Sequence, residues 1–414
     1  MKRTIVILFT VLFLVQQVNA RLQLDSAKAA IVCDARSGRI LYEKNADSML
    51  KPASLTKMMT AYIVSGKVRD GELAWTERVV ISSNSAQLAK DWRLANVLMK
   101  EGESYSVDEL FKAMMIYSSN SAAVSLAEHI SGTENEFAKL MNLRAGERGI
   151  KDAYFFDATG LSNTKIEGLY DDFSGGNRVP ARAAAQIAYR LLKDFPEILE
   201  ITSKPELSFS YADGSSVRLP SWNSMLPGRG AFYLGVDGIK TGHTAEAGYC
   251  FTATAEKNGM RVISIVLGCP TRNDSFAETK KILDFAFENY ELKDILPEKV
   301  TLEIDIVNGK KAKLMVSAGP GLLKITPKTY EPGQITGELY SVFVNGVQGA
   351  PVTAPAEKGK AVGFMTVLFG ENNGSYLFLR DNVLEKAVLY SDETVKKTGI
   401  FRGMINYMQN KYAK

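Results

Sequence analysis

The chain has 414 residues, which is long enough for two or three domains and at least one large hydrophobic core. Its content of 46% hydrophobic and 23% charged residues is typical of a globular protein. The formal net charge of +4 is too small to indicate a nucleic-acid partner, and the basic residues are dispersed except near the C-terminus.

The first residues have the pattern of a cleaved signal peptide, which we place at residues 1–20. Lys2 and Arg3 precede the apolar stretch TIVILFTVLFLV, and small residues at Val18 and Ala20 fit cleavage after Ala20. A single-pass membrane anchor is the alternative, but this apolar run is short for a membrane span. We therefore expect a mature protein that acts outside the cytoplasm.

Strand signals surround a helical region in the next part of the chain. The segment AAIVCDARSGRILYEKNAD predicts two strands joined by a turn, and the pattern over 54–192 is mainly helical. Strand signals return over 207–269, where Asn258-Gly259 is typical of a hairpin turn, and FAETKKILDFAFENY predicts a helix. This order indicates one sheet packed against a helical cluster, an α/β (α+β) arrangement.

The composition changes near Pro297. Over residues 296–390 the chain consists of short β-branched runs interrupted by Gly and Pro, such as VTLEIDIVNG and ITGELYSVFVNG. These runs predict a separate small all-β domain.

The last segment, residues 391–414, predicts an amphipathic helix. Five Lys and Arg side chains follow Glu393 with no further acidic residue, a pattern typical of a helix that lies on an anionic membrane surface. The alternative is a final helix that docks on the protein itself. The apolar face of the helix would carry Phe401, Met404, Ile405, Met408 and Tyr412.

Cysteine usage predicts neither a disulfide framework nor a metal site. Cys33, Cys250 and Cys269 are odd in number, and each lies in or beside an apolar strand-like run. We expect three buried thiols, and no metal or cofactor.

A serine and a lysine interrupt an apolar helix in KPASLTKMMTAY, residues 51–62. Ser54 and Lys57 are three residues apart, so their side chains can meet. A serine hydroxyl needs a base to act as a nucleophile, and burial lowers the pKa of a lysine enough for its amine to be that base. The core-facing residues of this helix would be Leu55, Met58, Met59 and Tyr62.

Histidine is a poor alternative as the base. The chain contains only His129 and His243. His129 lies late in a predicted helix, where a capping role is more plausible. A Ser-His-Asp triad would depend on His243 alone, without a nucleophile-elbow sequence.

Two further motifs support the serine–lysine pair. YSSNSAAV places Ser118 and Asn120 at the junction of two predicted helices, and DGIKTGHT places Lys240, Thr241 and Gly242 on a predicted strand. Each motif alone could be structural, as a turn, a cap or a solvated strand end. The order S-x-x-K, S-x-N, K-T-G is that of serine β-lactamases and penicillin-binding proteins.

With these motifs, the chain resembles the D-alanyl-D-alanine carboxypeptidases of the serine peptidase S11 family, which are low-molecular-mass penicillin-binding proteins. The resemblance extends over nearly the whole mature chain and is most specific over residues 29–290. It implies a catalytic domain of the serine β-lactamase and penicillin-binding-protein type at 21–293, followed by the all-β domain and the amphipathic helix. It also implies a peripheral position at the periplasmic face of the bacterial inner membrane, or at the outer face of the cytoplasmic membrane.

The resemblance implies a catalytic role for three residues. Ser54 would attack the bond between the two terminal D-alanines of peptidoglycan stem peptides, Lys57 would take its proton, and Ser118 would relay a proton to the leaving D-alanine. Penicillins and other β-lactams would acylate the same serine. No metal or cofactor takes part.

The remaining motif residues would bind substrate. Asn120 would hold Lys57 and the substrate amide, while Lys240 and Thr241 would bind the terminal carboxylate. Gly242 would let the substrate backbone lie along its strand. The backbone N–H groups of Ser54 and His243 would form an oxyanion hole.

The chain departs from the family pattern at several positions. Ser275 takes the place of a common Arg, with Arg272 nearby; Trp222 and Ala183 replace residues that are usually polar or charged. These departures leave open substrate preference and rate.

Three alternatives therefore remain: a D,D-endopeptidase, a β-lactamase, and a wall scaffold that is acylated but turns over slowly. A β-lactamase commonly needs a Glu in an E-x-x-L-N stretch, which this sequence lacks.

Overall fold

The computed structural model describes residues 22–161, 176–295, 300–319, 323–329, 340–367 and 386–398. The predicted signal peptide lies outside these residues, and so does the part of the predicted C-terminal helix from residue 399 onward.

The N-terminal part of the described chain is a mixed α and β region. Its strands are β1 (Ala29–Asp34), β2 (Ile40–Lys44), β3 (Arg78–Val80), β4 (Ser104–Ser106), β5 (Glu206–Ser210), β6 (Ser216–Pro220), β7 (Val236–Thr244), β8 (Gly248–Lys257) and β9 (Met260–Cys269). Its α-helices are α1 (Lys57–Arg69), α2 (Ser83–Ala89), α3 (Val107–Lys112), α4 (Asn120–Ser131), α5 (Glu134–Glu147), α6 (Ala181–Asp194), α7 (Ile198–Thr202) and α8 (Arg272–Asn289).

A five-stranded antiparallel sheet, in the order β2-β1-β9-β8-β7, separates two apolar cores. Side chains alternate between its faces: Ile31 and Ile265 pack into the larger core with α1 and α6, while Val32 and Val266 pack on the other side with α8. The predicted sheet and helical cluster are thus confirmed, and α8 covers the second face. The predicted turn at Asn258-Gly259 joins β8 to β9 with positive φ at both residues, 52° and 76°.

Helix α1 is buried on all sides over its first nine residues. The four apolar residues predicted to face the core are each at most 5% exposed: Leu55, Met58, Met59 and Tyr62. Because α1 packs against α4, α5 and α6, its first turn is fixed deep inside the helical cluster.

The C-terminal part of the described chain is all β, as predicted. Its strands are β10 (Tyr290–Asp294), β11 (Val300–Val307), β12 (Lys313–Ala318), β13 (Leu323–Pro327), β14 (Tyr340–Val344), β15 (Val347–Gln348), β16 (Val352–Thr353), β17 (Ala361–Val367) and β18 (Lys386–Ser391). Seven of them form one sheet in the order β15-β14-β17-β18-β12-β11-β16.

A two-stranded sheet joins the two regions. β10 follows α8 directly and pairs with β13 from within the predicted β domain. Ile325 of β13 packs in the α8 core, and its carbonyl accepts a hydrogen bond from Arg39 (3.1 Å).

The predicted helix does not begin at residue 391, so that start is wrong. Residues 392–398 continue the β domain in extended form, with backbone bridges from Val395 to Ala356 and from Lys397 to Gly309. The reason is burial: Val395 is 2% exposed in the core of the β domain.

The cysteine prediction is confirmed: Cys33, Cys250 and Cys269 are buried and free. Within the described ranges, no three His, Cys, Asp or Glu side chains are grouped as a metal site would require. No helix in these ranges has both the length and the apolar character needed to cross a membrane.

The core between β8 and α8 gives a stability prediction. Phe251 is fully buried and packs edge-to-face on Phe276 with ring centroids 5.2 Å apart. Phe251→Ala is expected to lower the free energy of unfolding by about 3–5 kcal/mol, measured by urea denaturation, because it leaves a cavity. The control Phe232→Ala, at a side chain 51% exposed, should cost less than about 0.5 kcal/mol. Equal losses in the two variants would contradict this account of the core.

Candidate active site

Ser54 lies in a single 3₁₀ turn, Ala53–Thr56, that leads directly into α1. The turn is tightly confined by backbone from two other segments. A Cβ on Gly160 would lie 1.9 Å from the carbonyl oxygen of Ala53, and one on Gly242 would lie 3.0 Å from the backbone nitrogen of Ser54. Both positions therefore require glycine, and their close approach fixes the backbone of the serine.

Lys57 is fully buried beneath Ser54. Its Nζ donates to Ser54 Oγ (2.9 Å), Asn120 Oδ1 (2.7 Å) and the Thr159 carbonyl (2.9 Å). Burial lowers the pKa of Lys57 to about 7, although the carboxyl groups of Asp157 and Glu134 oppose this effect. The amine beside the serine hydroxyl is therefore far more easily deprotonated near neutral pH than that of an exposed lysine.

Ser118 projects from a break between two helices. A π-helical turn, Ala113–Tyr117, ends at Ser118, which has a left-handed backbone (φ 68°). The next residue, Ser119, caps α4 by accepting a hydrogen bond from the Ala122 backbone (3.2 Å). Asn120 then begins α4, which turns its side chain toward Lys57. Such π turns and left-handed non-glycine residues are concentrated at functional sites.

Lys240 binds the Ser118 hydroxyl from the sheet side. Its Nζ donates to Ser118 Oγ (2.8 Å) and to the Thr241 carbonyl (3.0 Å). Burial and the nearby Lys57 ammonium hold the pKa of Lys240 well below its usual range. The two lysines therefore each contact one serine hydroxyl from below.

Thr241, Gly242 and His243 lie on β7, the edge strand of the central sheet. The His243 ring stacks on Tyr249, with centroids 4.0 Å apart. Burial and the charge of Arg272 lower the pKa of His243, so the ring is neutral at neutral pH.

The structure brings all eight predicted residues to one cleft of about 310 Å³. Six of them line it: Ser54, Ser118, Asn120, Thr241, Gly242 and His243. Lys57 and Lys240 lie beneath the cleft surface, where their amines bind the hydroxyls of Ser54 and Ser118, respectively. The cleft is therefore built where α1, α4 and β7 meet.

Main-chain groups that the sequence did not indicate complete the site. The Ala95 carbonyl accepts from both the backbone N–H (2.9 Å) and the side-chain amide (3.0 Å) of Asn120, and the loop that carries Ala95 also places Arg93 at the cleft. The Thr159 carbonyl binds Lys57. Main-chain acceptors of this kind leave no residue-type signal in a sequence.

The departures from the family pattern have structural explanations. Trp222 stacks on Tyr117 (centroids 5.7 Å apart) and donates through Nε1 to its carbonyl (2.7 Å). Arg272 lies over the Trp222 ring at 4.8 Å and reaches the cleft, so a guanidinium is present although Ser275 is neutral. Ser275 donates to the Arg272 carbonyl (2.7 Å), and Ala183 is buried in α6.

Comparison with known proteins agrees with this geometry. The sequence profile of the D-alanyl-D-alanine carboxypeptidase family, Peptidase S11, matches residues 16–271. D-alanyl-D-alanine carboxypeptidase DacF of Bacillus subtilis (strain 168) is 30% identical over 374 residues, which cover 90% of this chain and 87% of that protein.

Two solved structures have the same fold. PBP3 of Streptococcus pneumoniae, described as a peptidoglycan synthesis regulatory factor, superposes with a TM-score of 0.76 at 30% identity, over 90% of this chain and 99% of that chain. Penicillin-binding protein D2 of Listeria monocytogenes, solved with ampicillin bound, gives a TM-score of 0.52 at 34% identity, over 63% of this chain and 97% of that chain. The chain therefore belongs to the D-alanyl-D-alanine carboxypeptidase family of serine peptidases and is a serine-type D-alanyl-D-alanine carboxypeptidase.

Proposed function

We propose that this carboxypeptidase removes the terminal D-alanine from peptidoglycan stem pentapeptides through an acyl-enzyme on Ser54. The observation that supports this most strongly is the 2.9 Å separation of the buried Lys57 Nζ from Ser54 Oγ at the floor of the cleft, within which a neutral amine can accept the hydroxyl proton. A nucleophile with a base of suitable pKa in contact is what acyl transfer requires.

In the acylation step, neutral Lys57 takes the Ser54 proton while Oγ forms a bond to the carbonyl carbon between the two D-alanines. The carbon–nitrogen bond then breaks, and the leaving amine receives a proton from the Ser118 hydroxyl. Ser118 regains a proton from the Lys57 ammonium, so Lys57 is neutral again once the acyl-enzyme has formed. The contact of Ser118 with Lys240 (2.8 Å) orients that hydroxyl and stabilises the charge that develops on it.

The backbone N–H groups of Ser54 and His243 form the oxyanion hole in this proposal. The close approach of Gly242 to the Ser54 turn supports this role, because it holds the β7 backbone beside the backbone of the nucleophile. Preorganised donors of this kind contribute about 3–4 kcal/mol to acyl transfer.

Substrate is held by groups on both sides of the cleft. Lys240 and Thr241 bind the terminal carboxylate, and Asn120 holds the substrate amide as well as Lys57. Gly242 leaves room for the substrate backbone beside β7. Water then hydrolyses the ester, which returns a proton to Ser54 Oγ and frees a peptide one D-alanine shorter.

We propose in addition that β-lactams acylate Ser54. The structure of a relative with bound ampicillin supports this, since the two chains share the fold. We also propose export through the signal peptide and peripheral attachment to the outer face of the cytoplasmic membrane through residues 399–414; the apolar run after Lys2 and Arg3 and the basic amphipathic pattern near the C-terminus support this.

The first test is release of D-alanine from an acylated Lys-D-Ala-D-Ala tripeptide by the protein from Arg21 onward. Ser54→Ala is expected to lower the rate at least ~10³-fold because it removes the nucleophile. The matched control Ser48→Ala, at an exposed serine nearby, should keep the rate.

Single-turnover labelling by a fluorescent penicillin separates the alternatives. Labelling that depends on Ser54 without release of D-alanine would favour the slow-turnover scaffold or an endopeptidase that needs a cross-linked substrate. Rapid loss of the label with hydrolysed penicillin would favour a β-lactamase.

The role of Lys57 gives a pH prediction. Because a base must be neutral to accept a proton, kcat/KM is expected to fall about tenfold per pH unit below a midpoint near 7, measured between pH 5 and 9. Lys57→Arg should be at least ~10³-fold slower at every pH, since a guanidinium stays charged. Lys67→Arg, on the surface side of the same helix, should keep the wild-type profile. A wild-type rate that does not change with pH would contradict the role of Lys57.

The close packing of Gly242 against the turn that carries Ser54 gives a third test. Gly242→Ala is expected to lower kcat/KM about 10–100-fold, because its Cβ would lie 2.9 Å from the Pro52 carbonyl and displace β7 from Ser54. Gly230→Ala is the control, since no atom lies within 4 Å of the added Cβ. A Gly242→Ala enzyme with wild-type kcat/KM would show that this spacing is not needed.

A further inference from the structure

A buried turn, residues 157–160, supplies the third acceptor of Lys57. The carbonyl of Thr159 in this turn receives a hydrogen bond from Nζ (2.9 Å). Asp157 shapes the turn from inside: its Oδ1 accepts from the Thr159 backbone (2.7 Å), the Thr159 hydroxyl (2.7 Å) and the Gly160 backbone (2.5 Å). The orientation of the Thr159 carbonyl therefore depends on the Asp157 carboxylate.

A second carboxylate binds the same turn from α5. Glu134, in the first turn of that helix, accepts a hydrogen bond from the Ala158 backbone through Oε1 (3.1 Å). Asp157 is 1% exposed, and its Oδ2 has no hydrogen-bond partner within the described part of the chain. Two acidic side chains thus lie behind Lys57, and one of them carries an unsatisfied buried oxygen.

The charges around these groups come from α1, α4, α5, β7 and the 157–160 turn. Lys57 on α1 faces Asp157, Glu134 and, from β7, Lys240. Burial and the proximity of Asp157 raise the pKa of Glu134 to about 7, with a smaller contribution from Glu128. Burial also raises the pKa of Asp157. Two neighbouring carboxyls, one buried and one partly buried, favour retention of one proton between them near neutral pH.

We propose that Asp157 and Glu134 are positioning residues that act on Lys57 as an acidic pair: they hold the Thr159 carbonyl on its amine, and their shared negative charge sets the pH range in which the amine is neutral. This inference rests on the proposed role of Lys57 as the base. Neither carboxylate touches Ser54 or lines the cleft.

The sign of the effect follows from Coulomb's law. A negative charge behind Lys57 favours its ammonium form and raises its pKa. Removal of that charge therefore lowers the pKa of Lys57 and moves the acid limb of the rate profile to lower pH. A purely structural role would instead lower the rate at every pH and leave the midpoint in place.

Two isosteric substitutions, made singly and together, test this. Glu134→Gln keeps an oxygen for the Ala158 backbone, and Asp157→Asn keeps an oxygen for its three donors. Because the pair retains one proton, a single substitution leaves one carboxylate charge behind Lys57, and only the double substitution removes it. The measurement is the second-order rate of Ser54 acylation by a fluorescent penicillin between pH 5 and 9, on the protein from Arg21 onward. The midpoint is expected to fall by about half to one pH unit in the double variant, and its rate at pH 5.5 to rise about 3–10-fold, whereas each single variant should keep a midpoint close to that of the wild type.

Glu136→Gln, at an exposed carboxylate in the first turn of the same helix, is the matched control and should keep the wild-type midpoint. An unchanged midpoint in the double variant would overturn the inference, whether or not its rate falls. If the double variant fails to fold, Glu134→Gln decides, because a midpoint that moves while one carboxylate charge remains would contradict the shared charge. If Lys57 is not the base, Lys57→Arg will still be acylated at the wild-type rate. This result distinguishes failure of the proposed base from failure of the acidic-pair inference.

Discussion

The site depends on one constraint, the burial of the Lys57 amine. An ammonium has three N–H donors, and the three acceptors here come from separate parts of the chain: Ser54 Oγ, Asn120 Oδ1 and the Thr159 carbonyl. A buried amine without these partners would cost several kcal/mol. The nucleophile, the start of α4 and the 157–160 turn are therefore assembled together, and the helical cluster around α1 holds them in place.

The same burial gives the lysine its chemistry. An exposed lysine beside a serine would be charged at neutral pH and could not accept a proton. Enclosure by packed helices shifts the equilibrium toward the neutral amine, and the close approach of Gly160 and Gly242 fixes the backbone of the serine turn. Positive φ values at Ala53 (48°) and Ser118 (68°) show that the backbone is held in uncommon conformations at both serines.

Much of this arrangement could be predicted from the sequence, because side-chain chemistry at fixed spacing identified Ser54, Lys57 and the residues of the other two motifs. Strand signals on either side of a helical region likewise predicted the sheet, and short β-branched runs between Gly and Pro predicted the β domain. The Ala95 and Thr159 carbonyls could not be predicted, because a main-chain acceptor places no demand on residue type. The helix start at 391 was wrong because amphipathic spacing does not show that Val395 is needed in a core formed by residues distant in sequence.

The charges at the cleft explain how the chain can tolerate a neutral Ser275 at a position where the family commonly has Arg. Among the described residues that line it, Arg93 and Arg272 are cationic and none is Asp or Glu. Arg272 reaches the cleft because the face of Trp222 supports its guanidinium, which a smaller polar residue at 222 could not do. Arg93 is paired with Asp91, so Arg272 is the guanidinium that gives the cleft containing Thr241 a positive charge although Ser275 is neutral. Such a charge attracts an anionic peptide end, which suits a substrate with a carboxylate next to the bond that is broken.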